Sequence, residues 1–272
     1  MATTMTDVRT EFRNMPLTDF GDPSNRSAME AALEKVRGEL GRTYPLIIGD
    51  RRVSDGETGD SINPAKPDQV VGRFIQATAE HADEALDVAS RTFETWKTVP
   101  AEERAEYLFR AAEVMIERRF ELAAWMVFEV SKSWVEADAD VAELIDFATY
   151  YAHQMIRLGR PQPVVPYPGE KNELWYIPLG VSVVIPPWNF PAAIMGGMSL
   201  AAIVAGNTVV MKPASTSPVI AAKFAEIMVD DVGLPAGVLN FIPGPGGKIG
   251  DRLVDDPRTR LIAFTGSKEV GL

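Results

Sequence analysis

Four short stretches carry residue types that could do chemistry: IPPWNFPAAIM from position 185, MKPAS from 211, GPGGKIG from 244 and FTGS from 264. In the first, three prolines stiffen the backbone around Trp188 and Asn189, where turn residues are usually small. That raises the question of what the Asn189 side chain works with. In the second, Pro213 fixes the turn and removes an N–H, so the Lys212 stem is held while its ammonium reaches a hydroxyl or a phosphate. A surface lysine ahead of a turn accounts for the same residues equally well. The glycines Gly244, Gly246, Gly247 and Gly250 could let a backbone approach a pyrophosphate at a helix N-terminus. Ile249 stands where the GxGxxG dinucleotide fingerprint needs its last glycine, so simple loop flexibility competes with that reading. Ser267 suits an N-cap for the helix starting SKEVG, or the same hydroxyl could face a phosphate.

Each stretch ends an apolar run. GVSVVI, NTVVMK, VLNFI and RLIAF read as strands beginning near 181, 208, 238 and 260. One helix fits in each interval. The first is PAAIMGGMSLAAIVAG, with Pro191 in its first turn and Gly206 as its stop. The second runs from a Ser217–Pro218 N-cap to near Gly233, and GGKIGDRLV is the third. This alternation predicts an α/β architecture of βαβ units, a parallel sheet with helices on both faces. In such sheets ligands bind beyond the carboxyl ends of the strands, where all four stretches fall.

Upstream lies a polar arm over 1–40 ending in a helix, SAMEAALEKVRGEL, then a hairpin in PLIIGDRRV and a strand in QVVGRFIQA. Helices are expected over 79–97, about 102–131 and about 135–158. In the second, Leu108, Ala111, Ala112, Met115 and Ile116 form an apolar stripe that reads as packing. The proline-rich RPQPVVPYPGEKNELWYIP, within 159–179, reads as a linker or extended hairpin ahead of the unit 180–272.

Other chemistries find no support. The acidic run VEADADVAELID spreads around a helix as a solvated face, without the glycine of a calcium loop. His81 and His153 lack metal-ligand spacing, and no serine lies in a GxSxG elbow. The chain of 272 residues has no cysteine, which removes disulfides and any thiolate nucleophile supplied by these residues. A net charge of −11 argues against nucleic acid or an anionic membrane as partner and reads mainly as solubility. MATTMTDVRTEFRNMPLTDF shows no secretory leader and no long apolar span occurs, so the expected location is cytoplasmic.

Taken in order and spacing, IPPWNFP, MKPAS, GPGGKIG and FTGS resemble the aldehyde dehydrogenase superfamily. YPLIIGD, INPAKPDQVVG, EADADVAELIDFATYYA and PGEKNELWYIPLGV are similar to its 1-pyrroline-5-carboxylate dehydrogenase branch, which oxidises glutamate γ-semialdehyde to glutamate. The resemblance implies a Rossmann-like cofactor unit over 180–272, with 41–158 as the N-terminal part of the cofactor domain. It implies NAD or NADP as cofactor, a small aldehyde as substrate and a homo-oligomeric parent enzyme. By that resemblance Asn189 is an oxyanion-hole donor. Ile185, Pro186 and Trp188 line the cofactor cleft, and Lys212 binds the adenosine ribose. Gly246 and Gly250 shape the close backbone contact, and Ser267 faces the phosphates.

Three departures stand out. Ser215 replaces the acid that many NAD-preferring relatives place on the ribose, so the site is expected to tolerate NADP better than theirs. Ser131-Lys132-Ser133 replaces a Gly-Lys segment, a change with no evident functional meaning in the sequence. The family's nucleophilic cysteine and general-base glutamate would lie beyond Leu272. The chain is therefore expected to be an amino-terminal part of such a fold, a nucleotide binder without turnover or an unstable fragment.

Overall fold

The computed structural model describes residues 7–272. The first six residues, part of the opening stretch read as lacking a leader, lie outside these. The described chain opens with α1 (Pro23–Glu39), then β1 (Thr43–Tyr44), β2 (Leu46–Ile48), β3 (Arg51–Val53), β4 (Thr58–Ile62) and β5 (Val70–Ile75). Four helices follow: α2 (Ala79–Trp96), α3 (Ala101–Glu117), α4 (Arg119–Val130) and α5 (Trp134–Leu158). The remainder alternates as β6 (Val181–Ile185), α6 (Ala193–Val204), β7 (Thr208–Met211) and α7 (Pro218–Glu226). It ends with β8 (Leu239–Phe241), α8 (Gly246–Val254), β9 (Thr259–Phe264) and α9 (Lys268–Gly271).

The main sheet has six strands in the order β3-β2-β8-β7-β6-β9. Its last four members are parallel, as the βαβ reading requires, with Val183 level with Val210 and Ile262, and Met211 level with Phe241. The 46–53 hairpin is also as expected and joins the sheet antiparallel, with Ile47 opposite Phe241. Buried Asn240 fixes that junction: its Oδ1 accepts from the Gly49 N–H at 2.9 Å, and its amide donates to Val209 and Gly237 carbonyls. The short β1 and β4, which join β5 in a second sheet, are elements the sequence did not signal.

Period-two alternation sends side chains to both faces of the main sheet. Val183, Val210 and Ile242 pack with Leu86 of α2 and with Ile249 and Leu253 of α8. Val184, Val209, Met211 and Phe241 face the other way, into the larger core beneath α6, α7 and the α3–α5 layer. The helices on both faces are thus as predicted.

Three local expectations need correction. The helix read over 102–131 is two helices, broken where Arg118 leaves helical geometry (φ −97°, ψ 15°). No proline or glycine marks the break; the Arg118 guanidinium is drawn to Glu121 and Asp231. Helix α6 begins at Ala193, with Pro191 in a preceding turn, and Ala192 at its N-cap offers no side-chain acceptor. Ser217 does sit at the N-cap of α7, but its hydroxyl makes no capping bond. Gly206, at φ +90°, does end α6. Asn207 beside it accepts the Leu179 and Gly180 N–H groups, which fixes the entry into β6.

Residues 159–179 run almost without regular structure, with one antiparallel bridge between Gln162 and Leu174. Val165, Tyr167, Tyr176 and Ile177 are exposed along this arm.

Candidate functional site

The carboxyl ends of the parallel strands are tied together in one plane. The Lys212 N–H donates to Val184, the Ile242 N–H to Met211 and the Thr265 N–H to Ile185, at 2.9, 3.0 and 3.2 Å. The loops leaving this edge are those that hold Asn189, Lys212, Ser215, Gly246 and Ser267. Pro186 and the half-buried Ile185 form the root of the first loop, while Trp188 and Asn189 are exposed at its tip.

Trp188 separates two hollows. One, of about 410 Å³, is lined by Trp188, Ser215, Thr216, Ser61, Asp60 and Glu129. The other, of about 350 Å³, is lined by Trp188, Asn189, Phe190, Ser131, Lys132 and Glu136. The structure therefore brings Trp188 together with Ser215 on one side and with Asn189 on the other. Lys212, Gly246, Gly250 and Ser267 line neither hollow, although they share the same sheet edge.

Lys212 is not the surface lysine of the simpler reading. It is buried, and its Nζ makes one long bond, 3.3 Å, to its own Pro213 carbonyl. Burial holds its pKa below the ordinary lysine value. A desolvated ammonium with so weak a partner is suited to donate to ligand hydroxyls. At the mouth of α8, side-chain space is open at Gly246, Gly247 and Gly250, where an added Cβ would meet nothing within 4 Å. Gly244 differs, since a Cβ there would press on the Ala77 backbone at 3.2 Å. A backbone with open room at a helix N-terminus fits an anionic group, and a dinucleotide pyrophosphate is such a group. Ser267 caps α9, accepting from the Val270 N–H at 3.4 Å, so the plain N-cap reading of this residue is seen directly.

The acidic run is a solvated face only in part, since Glu136 and Glu143 are exposed but its middle is not. Asp138 and Asp140 are buried, Asp138 in a two-pronged pair with Arg119 and Asp140 against Lys132 at 2.8 Å. Asp140 Oδ1 also accepts the Ala193 N–H at 2.6 Å, at the start of α6 just beyond the Asn189 loop. Burial raises the Asp140 pKa, against the pull of Lys132 and these backbone bonds. Lys132 Nζ lies 4.1 Å from the centre of the Phe190 ring. Ser131 adopts a left-handed conformation (φ +55°), which explains why a glycine suits that position. Sequence reasoning missed Glu129, Lys132 and Asp140 as parts of this region; the Ser131-Lys132-Ser133 departure was the one signal that pointed near them. His153 is a packing residue as expected, its Nε2 at 2.9 Å from the Val8 carbonyl and its ring edge-on to Phe109.

No described helix is long and apolar enough to cross a membrane.

A parallel sheet with these loops at its carboxyl edge is the arrangement in which open α/β folds place a ligand site. The aldehyde dehydrogenase family profile matches residues 52–272, and the chain belongs to that family. Within it, the chain is similar to 1-pyrroline-5-carboxylate dehydrogenases. That of Geobacillus sp. (strain WCH70) is 54% identical over 261 residues, which cover 96% of this chain and 50% of the relative. Among solved structures, 1-pyrroline-5-carboxylate dehydrogenase from Thermus with bound NAD superposes with a TM-score of 0.93 at 50% identity, covering 96% of this chain and 51% of that one. The Mycobacterium tuberculosis Δ-pyrroline-5-carboxylate dehydrogenase gives 0.87 at 32% identity, covering 95% and 48%. The chain thus spans about half the length of the relatives it matches.

Proposed function

We propose that this chain forms the nucleotide-binding and oxyanion-stabilising part of a dehydrogenase that oxidises L-glutamate γ-semialdehyde to glutamate. The observation that carries the reading is the shared strand-end edge, where Asn189, the buried Lys212 ammonium and the open mouth of α8 occur together. Lys212 would hold ribose hydroxyls, Trp188 would wall the nucleotide, and the α8 N-terminus would face the pyrophosphate. When bound, the nicotinamide supplies the hydride acceptor. The Asn189 amide would donate to the aldehyde oxygen as negative charge develops there, a contribution of roughly 3 kcal/mol in comparable sites. With no cysteine among its 272 residues, the chain by itself supplies no thiolate for the family's reaction. Nucleotide binding without turnover is therefore the expected behaviour of the purified chain.

Titration calorimetry with NAD tests this directly. Saturable one-to-one binding is expected, and no heat at millimolar nucleotide would overturn the reading. The nucleotide preference follows from Ser215. It brings no carboxylate against a 2′-phosphate, so NAD and NADP are both expected to bind, although Asp60 and Glu129 line the same hollow. Ser215→Glu should weaken NADP relative to NAD by about tenfold, as expected for a like charge brought near a phosphate. An unchanged NAD to NADP ratio would sink that assignment.

A further inference from the structure

Helices α6 and α7 follow the Asn189 and Ser215 loops, yet neither caps its own N-terminus with a side chain. Buried helix ends need acceptors for their free N–H groups. Both receive them from one place, the corner where α4 meets α5. Glu129, near the end of α4, takes the Val219 N–H on Oε1 at 2.7 Å and the Ile220 N–H on Oε2 at 2.8 Å. Asp140, in the second turn of α5, takes the Ala193 N–H at 2.6 Å. The two carboxyl groups are 2% and 0% exposed, so water cannot stand in for them.

Each acid is itself held. Ser61 Oγ of β4 donates to Glu129 Oε1 at 2.7 Å, and Lys132 Nζ pairs with Asp140 Oδ2 at 2.8 Å. Lys132 also faces the Phe190 ring, within the loop that carries Asn189. Glu129 lines the hollow that holds Ser215 and Trp188. The corner therefore meets the helix that follows each loop, shares a hollow with Ser215 and contacts the Asn189 loop itself at Phe190.

We propose that Glu129 and Asp140 are positioning residues of the site: as remote caps they fix the Ser215 and Asn189 loops to a single rigid corner. The functional meaning of this device rests on the nucleotide-binding reading given above. Its test does not.

The experiment is residue-resolved amide hydrogen exchange on the purified chain, slightly alkaline so that the carboxyl groups are charged, for wild type, Glu129→Gln and Asp140→Asn. A glutamine keeps one acceptor oxygen and turns its NH₂ against a helix N–H. Exchange at Val219 and Ile220 should speed up by about tenfold in Glu129→Gln while Ala193 stays as it was, as expected for loss of a charge-assisted bond. Asp140→Asn should show the reverse pattern. Ser61→Ala and Lys132→Met leave the acids in place and remove only their anchors, so they cover the case of a variant that does not fold. Each should loosen its own helix end by a few-fold. Uniform acceleration across α6, α7 and β7, or no change at the named amides, would overturn the proposal. NAD titration of the same samples separates the two ideas. If wild type binds NAD, Glu129→Gln should bind it at least about threefold more weakly, as loss of a positioned loop predicts. If wild type does not bind, the nucleotide reading fails, and the exchange pattern alone decides the positioning role.

Discussion

Lys212 and Asn189 stand on the same sheet edge but should answer different experiments. Lys212→Ala removes the buried donor proposed to hold the nucleotide. It should weaken NAD binding by roughly ten- to a hundredfold, the range for a hydrogen bond from a charged group. Asn189→Ala removes the donor proposed for the aldehyde oxygen and should leave NAD affinity within about twofold, since on that reading the nucleotide loses no partner. Calorimetry on the two variants checks both statements, and a matched loss in both would break the division of labour. Glu129 makes a third residue-scale prediction. Burial pushes its pKa from the usual glutamate range up to about 7, against the pull of the Ile220 and Val219 N–H groups and the Ser61 hydroxyl. Because the folded-state pKa lies above the unfolded one, the associated stability is full below the ordinary glutamate pKa and is lost as pH rises through about 7. Relative to Glu129→Gln, wild type should lose about 3 kcal/mol of stability between about pH 4 and pH 8. Urea melts across that range measure it, and a flat difference would contradict the assignment.

At the scale of elements, the link between α4 and α5 carries an uncompensated strain. Ser131 occupies the left-handed region that glycine enters freely. Ser131→Gly should raise stability by about 0.5–1 kcal/mol in thermal melts, and a lower melting temperature would show that the Ser131 side chain does something else. Elements also show what could be read in advance. The parallel strands were legible because β-branched apolar runs end abruptly in proline, glycine or lysine, as Ile185-Pro186 and Lys212-Pro213 do. The start of α6 and the break at Arg118 were not, because neither is set by a local breaker. The caps were hidden for a related reason: Glu129 reaches Val219 across 90 positions and Asp140 reaches Ala193 across 53. Ser217 even imitated a local cap that the fold does not use. At the strand ends, residue types marked Asn189 and the glycines as candidates. They left Lys212 ambiguous, since only its burial separates a ligand donor from a surface lysine.

The whole molecule combines a charge of −11 with an apolar arm that has little to rest on. Val165 is 87% exposed and Ile177 77%, far more than isolated surface residues need to be. Self-association through this arm is the expected solution behaviour. Replacing Val165 and Ile177 together by aspartate should shift light-scattering mass toward a single chain, while an unchanged mass would place the contact elsewhere. The seam between the 46–53 hairpin and the parallel strands has its own consequence. The Asn240 side chain that secures Gly49 is 191 positions downstream, so the hairpin gains its place in the sheet only after most of the chain exists. During synthesis the backbone edge of β2 at Ile47 stays unpaired until β8 brings Phe241 beside it. Such distant pairing slows folding, and it makes the growing chain depend on protection from its neighbours for longer than its finished shape suggests.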